Sequence, residues 1–153
     1  LTLVAFLCAT ISDTHPLRLV DRLKSVANSQ MEKLKGEDVC AGCDEQLCNE
    51  APACGYVQVK NGGGYVAKIC VNGLNNATKA EFCCTSGGFD LGQTAQIKLP
   101  CYGVQLTMTA EEDVFIDSWS VVATENYRNN TVHACYKMYG TTLDPKWETE
   151  NCN

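Results

Sequence analysis

The side chains best equipped for chemistry in this sequence are its eleven cysteines. Cys40, Cys43, Cys48 and Cys54 fall within fifteen residues, among Gly, Pro, Asn and Asp. The Cys-x-x-Cys spacing of Cys40 and Cys43 suits zinc binding or dithiol redox chemistry. A zinc ribbon needs a second pair after a longer loop, and a redox motif of the thioredoxin kind needs a βαβ unit. Neither follows, so structural disulfides are the expectation. Cys70, Cys83, Cys84, Cys101, Cys135 and Cys152 complete a set of ten, enough for five intrachain bridges. Cys8 makes the count odd, which implies either an interchain bridge or a free thiol if it belongs to the mature chain. Cys83 and Cys84 are neighbours and should take two different partners, because a ring between adjacent cysteines is strained. The sequence leaves the connectivity open.

Other reactive groups are sparse. The two histidines, His15 and His133, have no obvious nucleophile partner, and neither GxSxG nor HExxH occurs. No enzyme activity, cofactor or metal is expected. Glu111, Glu112, Asp113 and Asp117 form an acidic run between two strand candidates. Such a run could hold Ca²⁺ through its oxygens, but the spacing is not that of an EF-hand, and a solvated loop is the preferred reading. Val114, Phe115, Ile116 and Trp119 occupy the same stretch. Apolar residues at a loop tip either tuck into the core or, if exposed, mark a membrane or partner contact. Asn76 with Thr78 and Asn129 with Thr131 are N-glycosylation sequons.

These groups must be positioned by three zones. Residues 1–36 open with the apolar run Leu1 to Ile11, too short for the ~20 residues of a bilayer span. It reads equally as the tail of a signal peptide or as an apolar segment used in assembly. From Asp13 to Gly36 an amphipathic helix is expected: Asp13 or Thr14 can cap it, and Pro16 suits its first turn. Leu17, Val20, Leu23, Ala27, Met31 and Leu34 recur at three- and four-residue steps, giving one apolar stripe that must pack on the sandwich, on another copy or on a membrane. Residues 37–54 are the cysteine-rich connector.

Residues 55–153 read as strands and turns. Tyr56–Lys60, Tyr65–Val71, Ala95–Leu99, Val104–Ala110, Ser118–Thr124 and Val132–Tyr139 are the candidates, and several alternate apolar and polar side chains with period two. Asn61–Gly64, Asn72–Gly73 and Ser86–Gly88 read as turns. The fold expected is mostly β: an antiparallel, immunoglobulin-like sandwich preceded by the helix and the connector. Disulfide density and sequons place the chain in an oxidising, secretory environment. Its net charge of −6, with no basic cluster, excludes nucleic acid as a natural partner and argues against adhesion to anionic lipid by charge alone.

Three passages carry a family resemblance. GGYVAKICV (Gly63 to Val71), IKLP (Ile97 to Pro100) followed by VQLTMTA, and GTTLDPKW (Gly140 to Trp147) resemble, in order and spacing, the C-terminal membrane-recognition domain of the thiol-activated, cholesterol-dependent cytolysins. The likeness covers roughly Gly55 to Trp147. It implies a β-sandwich, and it implies that Thr142 and Leu143 stand where that family keeps its sterol-recognising Thr-Leu pair. The family's Trp-rich loop corresponds approximately to Glu111–Ser120, which keeps only Trp119, and the preceding pore-forming domains are not in this sequence. The resulting expectation is a secreted, non-enzymatic binding protein, a toxin or defence component. It would engage membrane lipid (sterol among the candidates) or surface glycan through a tip of Thr142, Leu143, Phe115, Ile116 and Trp119. The alternative is a structural subunit of an extracellular assembly, a homo-oligomer joined through the N-terminal helix and Cys8.

Overall fold

The computed structural model describes residues 38–153. The expected N-terminal helix with its apolar stripe, His15 and Cys8 lie outside the described residues. A single turn of helix, α1 (Leu47–Glu50), is followed by eight strands: β1 (Ala53–Asn61), β2 (Ala67–Asn75), β3 (Glu81–Phe89), β4 (Thr94–Pro100), β5 (Gly103–Phe115), β6 (Ser118–Tyr127), β7 (His133–Thr141) and β8 (Asp144–Glu150). They form two four-stranded sheets, ordered β4-β1-β7-β8 and β3-β2-β5-β6. All pairings are antiparallel except β1 with β7, which run parallel. That pairing corrects the purely antiparallel reading. The two strands are far apart in sequence, so no hairpin constrains their direction.

The core follows from period-two alternation. Val57 and Val59 of β1, Ile97 and Leu99 of β4, and Tyr136 and Met138 of β7 face Ala67, Ile69 and Val71 of β2 and Leu106, Met108 and Ala110 of β5. β2 is buried on both sides, and the connector is the cause. Cys40 bridges Cys70, and Asp38 accepts a 2.9 Å hydrogen bond from Lys68 Nζ on the outer face. The connector then rounds the β3 edge. Cys43 bridges Cys83 and Cys48 bridges Cys84, so the two adjacent cysteines, pointing to opposite faces of β3, take different partners. Asp44 pairs its backbone with β3, Asp44 N–H donating to Cys83 O and Thr85 N–H to Asp44 O, which covers that edge. Cys54–Cys101 and Cys135–Cys152 complete five bridges.

Two strands escape sequence reading. β3 contains Ser86–Gly88 and poor strand formers, but the two bridges and the pairing with β2 hold it extended. Gly87 there has φ +67, next to a register shift in the pairing. β8 carries Pro145, which an edge strand tolerates because an outward N–H is not needed. Asn72–Gly73 lies inside β2, not in a turn. A Cβ at Gly73 would sit 2.7 Å from Leu106 Cδ2 and 2.9 Å from the Phe82 ring, so close packing explains the glycine.

Candidate functional site: the loop end of the sandwich

Strand direction gathers four connections at one end. Ala67 at the start of β2 pairs with Glu112 near the end of β5 and with Phe89 at the end of β3. Asn61 at the end of β1 pairs with Met138 near the end of β7. The β1–β2, β3–β4, β5–β6 and β7–β8 connections therefore share this end.

Residues 61–66 form its hub. Asn61 is fully buried, its side chain donating to the carbonyls of Tyr65 (2.7 Å) and Phe89 (3.1 Å) and accepting from Gly63 N–H (2.9 Å). Its backbone exchanges hydrogen bonds with the β3–β4 loop, Asn61 N–H donating to Gln93 O and Gly92 N–H to Asn61 O. Gly62 N–H donates to Met138 O, Gly64 N–H to Gly140 O, and the Tyr65 hydroxyl to Tyr139 O, tying the hub to β7. Asp113 N–H donates to Val66 O, tying it to β5. The Asn61 amide group thus bonds the residue 61–66 segment and the end of β3, which is why a buried polar residue is tolerated.

The two hairpins have two-residue turns. In β5–β6, Phe115 pairs with Ser118 and the turn is Ile116–Asp117, with Asp117 at φ +57, a region that Asp tolerates. Asp113 Oδ1 accepts from the backbone N–H of both Phe115 and Ser118. In β7–β8, Thr141 pairs with Asp144 and the turn is Thr142–Leu143. Gly140 has φ +88, and a Cβ there would strike Asp144 O, so the first residue of GTTL must be glycine.

Exposure separates the expected tip residues. Leu143 is 96% exposed, Ile116 90% and Phe115 79%. Thr142 is half-buried. Leu91 in the β3–β4 loop, 63% exposed, joins them, and sequence reasoning missed it because one leucine among Asp, Gly and Gln carries no pattern. Trp119 stands apart. It is the second residue of β6 and lies on the outer sheet face, with Lys68 Nζ 4.0 Å from its ring centroid. Lys68 is also paired with Asp38 at 2.9 Å and Glu111 at 3.7 Å, so Trp119 covers a charged network under the connector.

The acidic run is mostly not a loop. Glu111 and Glu112 belong to β5 and are 0% and 2% exposed, on opposite faces. Glu111 accepts a 2.7 Å hydrogen bond from Val39 N–H, while burial pushes its carboxyl above the usual range. Asp38 moves the other way: desolvation raises its carboxyl, but hydrogen bonds with Lys68, Glu111 and the Cys40 backbone, together with the Lys68 charge, outweigh it and hold it below its usual value. Glu112 faces inward, and its Oε2 has no hydrogen-bond partner. Burial pushes its carboxyl up to about 7. The Tyr65 hydroxyl is pushed to about 12, first by burial and then by the Glu112 charge. His133 stacks on Tyr56 with ring centroids 4.6 Å apart.

Both sequons lie at the opposite end. Asn76 is exposed in the β2–β3 turn and Asn129 in the β6–β7 turn. A nine-residue strand such as β2 separates the two ends by roughly 30 Å. Among the described residues no helix is long and apolar enough to cross a membrane.

No family model and no curated protein matches the sequence. Among solved structures, the chain is similar to listeriolysin O at 22% identity and a TM-score of 0.45, covering 65% of this chain and 22% of that one. It is similar to a non-hemolytic pneumolysin from Streptococcus pneumoniae at 20% identity and a TM-score of 0.45, covering 65% of this chain and 24% of that one. The membrane-binding domain of pneumolysin aligns at 21% identity and a TM-score of 0.46, covering 65% of this chain and 97% of the domain. The chain thus spans less than a quarter of listeriolysin O and of the non-hemolytic pneumolysin, and nearly the whole of the membrane-binding domain of pneumolysin.

Proposed function

We propose that this is a secreted, non-enzymatic binding protein, toxin-like or defensive, that engages a membrane surface through the loop end of its sandwich. The observation that carries this reading is the exposure of Leu91, Phe115, Ile116 and Leu143 on three loops at one end. A folded domain gains nothing by holding four large apolar side chains in water, and exposure of this kind at one end marks a contact surface. Burying one such side chain is worth ~1.5–3 kcal/mol, so four inserting shallowly would sustain weak binding, strengthened when several copies act together. Thr142 and Leu143 would be the sterol contact. Glycosylation at Asn76 and Asn129 is compatible with this orientation, because both sites point away from the surface being bound.

The test is flotation with liposomes of phosphatidylcholine, with and without cholesterol, comparing wild type with Leu143→Ala and Phe115→Ala. Binding weakened at least tenfold by each substitution is expected, since each removes more than ~1.4 kcal/mol of apolar burial. Equal binding with and without cholesterol would remove the sterol contact alone. No binding to either liposome would end the membrane reading and leave surface glycan or a structural subunit.

A further inference from the structure

Each apolar turn residue at this end has an exposed carboxylate beside it in sequence. Asp90 adjoins Leu91, Asp117 adjoins Ile116, and Asp144 adjoins Leu143, and all three aspartates are exposed. The cations stand further back. Lys146 lies two residues down β8 and pairs with Asp144 at 3.0 Å, cancelling one of the three charges. Lys60 and Lys137 are cross-strand partners whose backbones lie four residues behind Thr141, the last β7 residue before the turn, and the Lys137 side chain reaches forward until its Nζ stands 5.7 Å from the Tyr139 ring centroid. Lys68 is committed to Asp38, Glu111 and the Trp119 ring.

A tip inserted by its apolar side chains sinks ~5–10 Å, which brings the three adjoining aspartates to the headgroup layer, with Lys146, paired to Asp144, and Lys137, over Tyr139, as the cations behind them. We propose that Asp90, Asp117 and Asp144 make the tip selective for lipid surfaces without net charge, such as zwitterionic phosphatidylcholine, and turn it away from anionic lipid. This rests on the membrane reading above and adds to it the class of surface recognised.

Turn geometry supplies a clean variant. The left-handed φ of Asp117 suits Asn equally, and Asp90 uses its backbone N–H, which donates to Gln93 Oε1 at 2.7 Å, and not its carboxylate in closing its loop. The triple variant Asp90→Asn, Asp117→Asn, Asp144→Asn therefore removes charge while keeping the turns. Flotation is compared on phosphatidylcholine vesicles and on the same vesicles with added phosphatidylserine. The wild type should bind the anionic vesicles on the order of tenfold more weakly, high salt should narrow the gap, and the variant should bind both alike. Equal or tighter wild-type binding to the anionic vesicles overturns the selectivity while the membrane reading stands. A gap that survives in the triple variant, or that high salt leaves unchanged if the variant does not fold, removes these aspartates as its cause. Absence of binding to either vesicle overturns both readings together.

Discussion

Glu112 gives a prediction whose size and sign both follow from its position. Its side chain is 2% exposed, it projects into the sandwich, and one carboxylate oxygen meets no donor. Burial alone raises its pKa from 4.5 to about 7. At ~1.4 kcal/mol per tenfold change in proton affinity, that difference is worth about 3 kcal/mol. Between the two values the folded state holds a proton that the unfolded chain has released, so stability falls as pH rises from 4.5 to about 7 and stays low above it. Glu112→Gln is nearly isosteric and cannot ionise. Against wild type it should gain about 3 kcal/mol between pH 4.5 and pH 8, or roughly 10 °C in the difference of melting temperatures. Comparing each protein with the other at both pH values cancels groups common to both, including Glu111 and Asp38. The assay is urea denaturation at the two pH values, with calorimetry as a second probe. A stability difference that is the same at both would refute the reasoning. It would mean that Glu112 reaches water or a donor in solution and ionises normally.

Three further outcomes are expected. Thiol counting under denaturing conditions should find no free thiol among the ten cysteines from Cys40 to Cys152, and more than two would contradict the bridges. Removing the Cys48–Cys84 bridge by a double Ala substitution should lower stability by about 2–5 kcal/mol in chemical denaturation, because it removes one of the two bridges that hold the connector to β3. Asn61→Ala leaves the carbonyls of Tyr65 and Phe89 and the Gly63 N–H short of a partner, at ~1–3 kcal/mol each before relaxation. Faster amide exchange confined to residues 61–66 and 90–93 is its signature, and unchanged exchange there would count against the hub.

Legibility in the sequence followed the strength of local patterns. β1, β4, β5 and β7 were readable because Val57 with Val59, Ile97 with Leu99, Leu106 with Met108 and Tyr136 with Met138 alternate against polar neighbours. β3 was not, because its extension depends on Cys43 and Cys48 arriving from forty and thirty-six residues away. Glu111 and Glu112 misled for a related reason. A charged pair reads as solvated unless the connector that buries one and the opposite sheet that buries the other are already known. At the tip, Thr142 and Leu143 were legible only through the family resemblance, and the exposure of Phe115 and Ile116 was one of two open readings. Leu91 had no signal, since its place at the same end of the sandwich as Ile116 is set by the register of β2 with β3 and β5.

The cross-links explain where the chain can accommodate an unfavourable surface. None of the five bridges involves residues 61–67, 90–93, 113–118 or 141–144. They secure the connector, the β3 edge, the far end and the C-terminus, and so stabilise the sandwich without restraining the loop end directly. That end is held by hydrogen bonds converging on Asn61, Tyr65 and Val66, which fix backbone positions and leave side chains at the turns free to point outward. Two-residue turns add to this, because a turn so short cannot fold its apolar residues back over the core. Phe115, Ile116 and Leu143 stay exposed because the backbone geometry gives them no route inward, and the stability supplied elsewhere by the bridges makes that exposure affordable.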